Sequence, residues 1–166
     1  MDLFSSECIT QREKDPKDWH YLACSFKSAA KLLRKEFDLV EDGTPLEKSA
    51  EKFSAMIAIP YIIAVSAELY MKSYLLQKGF NIEHLKEIRH DLKRLRQECS
   101  NFDKKFDGSE LEHLCDIYGT NLTKNGGAKY PGRSYVSFIS WFDTLDYLHQ
   151  ATNPFLRSEE DKQGTH

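Results

Sequence analysis

Three groups of residues in this chain have the types and spacing that chemistry requires. The first is Glu68 with Lys72, four residues apart inside an apolar segment. With the acid on the N-terminal side, that is the favoured orientation for a helical ion pair. On an exposed face such a pair contributes only about 0.3–0.5 kcal/mol. The neighbours Val65, Leu69, Leu75 and Leu76 point toward burial, and a buried pair needs further partners because each charge is costly to desolvate. A rim ion pair and a pair reaching into a shared polar site both fit this spacing.

The second group is Arg89-His90-Asp91 and the run that follows. Between 84 and 96 stand Lys86, Arg89, Lys93, Arg94 and Arg96 against Glu87 and Asp91, a local charge of +3 in a chain of net charge −3. If one continuous helix covers this stretch, Lys86, Arg89, Lys93 and Arg96 share a face. Such a face is either solvated or a ridge that neutralises phosphates without reading sequence. No aromatic residue interleaves with the run, which counts against stacking of single-stranded bases. His90 can serve as a proton donor or acceptor near neutral pH, or simply as a hydrogen-bonded cap.

The third group is the segment from Lys124 to Arg133. Gly126, Gly127 and Gly132 allow close backbone approach and Lys124, Lys129 and Arg133 bring positive charge. It reads as an ordinary connection or an anion-contacting loop, and it lacks the spacing of a P-loop. No metal site is expected. His84 and His90 are six apart and do not share a helical face, and Cys8, Cys24, Cys99 and Cys115 are scattered singly, so zinc would need help from distant residues. The cysteines read as reduced thiols, and no Ser or Cys carries a local signature of a nucleophile.

The elements that must position these residues are all helical. Trp19, Leu22, Ala23, Phe26, Ala29, Ala30, Leu33 and Phe37 recur at three- and four-residue steps, one face of a helix capped by Asp15 or Asp18. A second helix is expected over about 46–78. Pro60 either kinks it or starts a new one, the residues beyond Pro60 are apolar nearly all round, and Gly79 ends it. A third covers part of 84–99, with Leu85, Ile88, Leu92, Leu95 and Cys99 on one stripe. Asp107-Gly108-Ser109 resets the chain, Ser109 to Glu112 has the spacing of a capping box, and a fourth helix carries Leu111, Leu114, Cys115 and Tyr118. After a long loop over 119–134, a fifth runs from about Tyr135 to Gln150. No period-two strand is visible. The expected architecture is an all-α bundle of four to five helices over 17–156, with polar segments at 1–16 and 157–166.

The 166 residues suit one domain. The sequence pI near 6.1 argues against a generally basic nucleic-acid coat, though not against a local basic patch. The apolar run from Phe53 to Ala67 falls short of the roughly 20 residues a bilayer needs. The first residues lack the basic start and apolar core of a secretory leader, so Asn121-Leu122-Thr123 carries no weight as a glycosylation sequon and a cytoplasmic location is expected.

Three stretches resemble the HEPN superfamily, small helical domains of prokaryotic toxin–antitoxin, defence and nucleotide-linked systems. WHYLACSFKSAAKLLRKEF from Trp19 to Phe37 looks like the family's first helix. AELYMKSYLLQKGF from Ala67 to Phe80 is similar to its pattern of Glu and Lys four apart before a Leu-rich turn and Gly. RHDLKRL from Arg89 to Leu95 is similar to the His-Asp-Leu that follows, and Tyr130-Pro131-Gly132 lies in the later loop. The resemblance spans about 18–150 and implies two long antiparallel helices, often paired in a homodimer. Many members are metal-independent ribonucleases whose catalytic Arg precedes a His by four to six residues. No histidine here has an Arg at that distance, because Arg89 adjoins His90 and seven residues separate Arg12 from His20. Only Glu68, Lys72, His90 and Asp91 match recurring positions of the family.

The reading that follows is a non-catalytic HEPN-like module binding RNA, a nucleotide or a cognate protein partner. Glu68, Lys72, Arg89, His90, Asp91, Lys93, Arg96 and Arg133 are the expected binding residues. The enzyme alternative is an endoribonuclease with an unconventional pair, Arg89 or Arg94 acting with His90. The structural alternative is a dimerisation module alone. No cofactor and no membrane partner is expected.

Overall fold

The computed structural model describes residues 15–38, 46–118 and 138–153. Among these residues the chain is all-helical, without a strand. Six α-helices follow in order: α1 (Pro16–Asp38), α2 (Leu46–Gln77), α3 (Ile82–Ile88), α4 (Leu92–Phe102), α5 (Ser109–Tyr118) and α6 (Phe138–Ala151). A single 3-10 turn, Lys104–Asp107, joins α4 to α5.

The helix ends follow from local chemistry. Asp15 caps α1, its Oδ1 accepting from the Lys17 N–H at 2.8 Å, and Pro16 takes the first helical position, where no N–H is needed. Helix α2 runs through Pro60 as one element. It closes in a Schellman motif: the Phe80 N–H reaches the Leu75 carbonyl at 2.9 Å, the Gly79 N–H reaches Leu76 at 3.0 Å, and Gly79 stands at φ +80°. Helix α5 begins one residue away from the expected capping box. Ser109 is its first helical residue, and the Glu112 N–H bonds to the Gly108 carbonyl at 3.0 Å. The Glu112 side chain turns instead to Arg96.

Helix α2 is the axis of the molecule. It packs most extensively along α1 and also touches α4, α5 and α6. Every residue from 66 to 75 is buried, as an element apolar on all sides requires. Tyr70, Met71, Tyr74 and Leu75 lie in a core that takes Ala23 and Ala30 from α1, Leu92, Leu95 and Cys99 from α4, and Leu145 and Leu148 from α6. The Tyr74 ring meets Phe106 of the 3-10 turn at 4.7 Å between centroids. Polar bonds lock the α1–α2 contact. The Ser66 hydroxyl donates to the Ala23 carbonyl at 2.9 Å, and the Ser73 hydroxyl donates to the Pro16 carbonyl at 2.7 Å. Among the described residues no helix is long and apolar enough to cross a membrane.

The stretch 84–99 departs from the expected single helix. The apolar stripe is present, but it belongs to two helices, α3 and α4, separated by a turn at residues 88–91. That turn is the feature that builds the candidate site.

Candidate functional site

The turn forms because each flanking helix is independently bounded. Asn81 caps α3 through its side chain, which accepts from the Glu83 N–H at 2.9 Å, and Asp91 caps α4 by accepting from the Arg94 N–H at 3.0 Å. Between them the Asp91 N–H bonds to the Ile88 carbonyl at 3.2 Å, closing a four-residue β-turn. Arg89 occupies its second position at φ 56°, ψ −112°. Those angles lie near the about +60°, −120° of a type II′ turn, a conformation that favours glycine. Arg89 is the one non-glycine residue with positive φ among the described residues. A long side chain held there costs on the order of 1–3 kcal/mol, and such strain persists only where surrounding structure over-determines it.

The turn presents Arg89 and His90 to a cavity of about 270 Å³ lined by Trp19, Lys72, Ile82, Leu85, Lys86, Arg89 and His90. The lining surface is largely apolar, from Ile82 and Leu85 of α3, the Trp19 ring of α1 and the stems of the longer side chains. Lys72, Lys86, Arg89 and His90 complete it, with Lys86 Nζ 3.5 Å from Glu83 Oε1. The Lys72 ammonium lies 5.3 Å from the centre of the Trp19 ring, within range of a cation–π contact.

Glu68 ties this wall to the core. The Lys72 Nζ donates to Glu68 Oε1 at 2.6 Å, and both residues are buried, with side-chain exposures of 8% and 5%. The spacing admitted a rim pair or a pair at a shared polar site; the structure shows the pair buried and joined by a third group. His90 Nδ1 lies 3.0 and 3.1 Å from the two Glu68 oxygens. A carboxylate only accepts, so Nδ1 carries a proton, and in the neutral ring Nε2 holds the lone pair. The imidazole is thereby oriented by a buried acid, although the ring itself is 58% exposed.

The remaining expected residues separate from this cavity. The Lys93 Nζ bonds to Asp116 Oδ1 at 2.7 Å, which raises the lysine pKa and lowers that of the acid. Arg96 reaches Glu112 Oε1 at 3.0 Å and Asp107 Oδ1 at 3.9 Å. Both cations thus lie along the seam between α4 and the acids of α5 and the 3-10 turn. The proposed common face of Lys86, Arg89, Lys93 and Arg96 required one continuous helix, and the turn at 88–91 divides it. Arg94 rests 3.4 Å from His84 Nε2, outside the cavity lining. Asp91 acts as the α4 cap. Arg133, with the whole Lys124–Arg133 segment, lies outside the described residues.

Trp19 belongs to the cavity, although the sequence placed it only on an apolar helix face. Its position one turn of α1 from the Pro16 carbonyl, which accepts from Ser73 of α2, sets it over Lys72. A second group also went unrecognised. His20 and Cys24 of α1 and His149 of α6 bring one ligand atom each to within 4.8 Å of one another. The i,i+4 spacing of His20 and Cys24 was the available signal. Its third member lies 125 residues beyond Cys24, and a ligand that far along the chain leaves no local spacing to read.

No protein-family model matches this chain, and no curated protein and no solved structure matches it either.

Proposed function

We propose that this chain is a HEPN-like helical module that binds a phosphate-bearing ligand of the nucleotide class in the cavity beside His90. One observation carries the reading: the strained turn at 88–91 holds Arg89 and His90 on the same cavity as Lys72, Lys86 and Trp19. Arginine and lysine supply charge-assisted donors for phosphate oxygens. Ile82, Leu85 and the Trp19 ring supply an apolar wall for a base. The volume of about 270 Å³ lies just below the roughly 300–1,000 Å³ common for ligand sites, which favours a nucleotide or one nucleotide of a single strand over a duplex. Pairing of Lys93 and Arg96 with acids removes much of the ridge that an extended RNA would need. The HEPN likeness and the homodimer it implies rest on the quoted motifs.

The test is calorimetric titration of the full chain with adenosine and guanosine monophosphates, their diphosphates and a short single-stranded RNA, comparing wild type with Arg89→Gly. Glycine relieves the positive-φ strain while removing the guanidinium. The variant is expected to melt about 2–4 °C higher, equivalent to about 1 kcal/mol, and to bind at least tenfold more weakly. Absence of binding to every one of these ligands, or equal binding by both proteins, rejects the reading.

A second reading has its own observation, the Glu68–His90 pair. A carboxylate on Nδ1 fixes the tautomer whose Nε2 can take a proton, the arrangement that suits a general base. In that scheme His90 takes the proton of a ribose 2′-hydroxyl and Arg89 stabilises phosphate charge. Arg94, engaged at His84, is the less suitable partner. Metal-independent RNA cleavage in EDTA that disappears in His90→Ala would establish it over simple binding.

A further inference from the structure

The geometry points to a transition-metal site of two imidazoles and one thiolate, formed by His20, Cys24 and His149, with zinc the ion that best fits the donor set. The site joins α1 to α6, shares no residue with the cavity beside Trp19, and is independent of the phosphate-binding reading.

The donors converge closely enough to close on a cation. Cys24 Sγ and His149 Nδ1 are 3.4 Å apart, and all three ligand atoms lie within 4.8 Å of one another. A tetrahedral ion with N and S bonds of about 2.0–2.1 and 2.3 Å holds its donors about 3.3–3.6 Å apart, so binding draws the widest pair inward. The Tyr70 hydroxyl donates to Cys24 Sγ at 3.4 Å and stands at the same distance from His149 Nδ1. With the tyrosine proton directed at sulfur, the thiol proton is left to point at Nδ1, which is then the acceptor. His20 is oriented in the same sense. The Thr152 hydroxyl donates its single proton to the Leu148 carbonyl at 2.7 Å, so toward His20 Nδ1, 3.4 Å away, it can only accept. Nδ1–H is therefore fixed outward and Nε2 keeps its lone pair. An imidazole whose far nitrogen is held by a hydrogen bond is the usual condition of a metal-binding histidine.

Local charge agrees with this arrangement. The nearest charges are Lys27 and Lys31 of α1, and both are drawn to Asp146 of α6, at 2.6 and 3.2 Å. Cys24 and His149 are half-buried and His20 is buried, so an ion has a path to two donors without unfolding the core. On binding, the ion replaces the thiol proton between Cys24 and His149. One proton leaves to solvent, the thiolate and two neutral rings complete three positions, and the fourth is left for water or a ligand, as in open zinc sites.

The test uses the full chain stripped with a chelator, then titrated with Zn²⁺ in competition and with Co²⁺ followed by absorption. One ion per chain is expected, with affinity tighter than about 1 μM. Thiolate-to-cobalt charge transfer should appear together with the intense d–d bands of a tetrahedral ion. Cys24→Ser should abolish the charge-transfer band, and His149→Gln should weaken Zn²⁺ at least a hundredfold. Tyr70→Phe should weaken it about tenfold through the lost bond to sulfur, and Cys115→Ser should leave it unchanged. His149 is half-buried, so His149→Gln remains informative if a His20 variant fails to fold, with circular dichroism as the check. Absence of the charge-transfer band in the folded wild type, or its persistence in Cys24→Ser, overturns the site.

Discussion

Glu68 and Lys72 show how little of a residue's role its spacing reveals. Four-residue spacing gave the ion pair, but its burial and its third partner come from a turn 20 residues further along the chain. His90 was legible as a polar residue near a helix start, and its bond to Glu68 was not, because a tertiary contact leaves no periodic trace. The pair has a measurable consequence. Removing one partner of a buried ion pair strands the other and costs about 3–5 kcal/mol, whereas removing both for apolar groups of similar volume is often near neutral. Glu68→Leu strands the Lys72 ammonium with only the Trp19 ring, while Lys72→Met leaves Glu68 its bond to His90. Urea unfolding should therefore rank Glu68→Leu as the most damaging, Lys72→Met less so, and the double variant closer to wild type than either single one. Single variants within about 1 kcal/mol of wild type would contradict the buried pairing.

At the scale of elements, most of the fold was legible because each helix buries a face and ends on a residue with a stated reason to end it. Asp15, as a cap, and Gly79, as a stop, place the start of α1 and the end of α2 to within a residue or two. The stretch 84–99 was misread as one helix because α3 and α4 turn their apolar residues to the same core. Leu85, Ile88, Leu92, Leu95 and Cys99 are all buried and keep three- and four-residue steps across a break that their pattern cannot show. Asn81 and Asp91, both good caps, were the readable signs of two starts. The joint between α1 and α6 was not legible, since His20 and His149 lie far apart in sequence. That joint makes the metal-free fold sensitive to acid. His20 has its pKa depressed from 6.5 to about 4 by burial first, then by His149 and Lys27. As pH falls from about 6.5, the unfolded chain takes the proton before the folded one does. The His20 contribution is then full above that pH, declines through the window, and is fully lost below about 4. Denaturant midpoints between pH 7 and 4, taken in EDTA, should fall more steeply for wild type than for His20→Gln. Parallel profiles would show that His20 is not buried in its neutral form.

For the molecule as a whole, the net charge of −3 conceals a division of labour among cations. Lys86, 3.5 Å from Glu83, and Arg89 line the cavity, whereas Lys93 and Arg96 are paired with Asp116, Glu112 and Asp107 along the α4–α5 seam. These surface pairs contribute little to stability, and salt screens them. Their larger effect is on the field: a chain negative overall that also neutralises its densest basic stretch is poorly suited to hold polyanions by charge alone. Replacing Glu112 with Gln and Asp116 with Asn together should barely move the melting temperature, since the helices themselves are buried elsewhere. It should release Lys93, and release Arg96 from the nearer of its two acids, leaving Asp107 at 3.9 Å. Each freed cation adds about 0.7 to the slope of log affinity against log salt for a single strand, so the double variant should bind single-stranded RNA more tightly at low salt with a slope steeper by about 0.7 to 1.4. Nucleotide monophosphate affinity should stay within about twofold, because the cavity cations are unchanged. If RNA affinity and its salt dependence do not respond, the seam charges are not what limits RNA binding, and selectivity for a small phosphate ligand must come from the shape of the cavity beside Trp19 and His90.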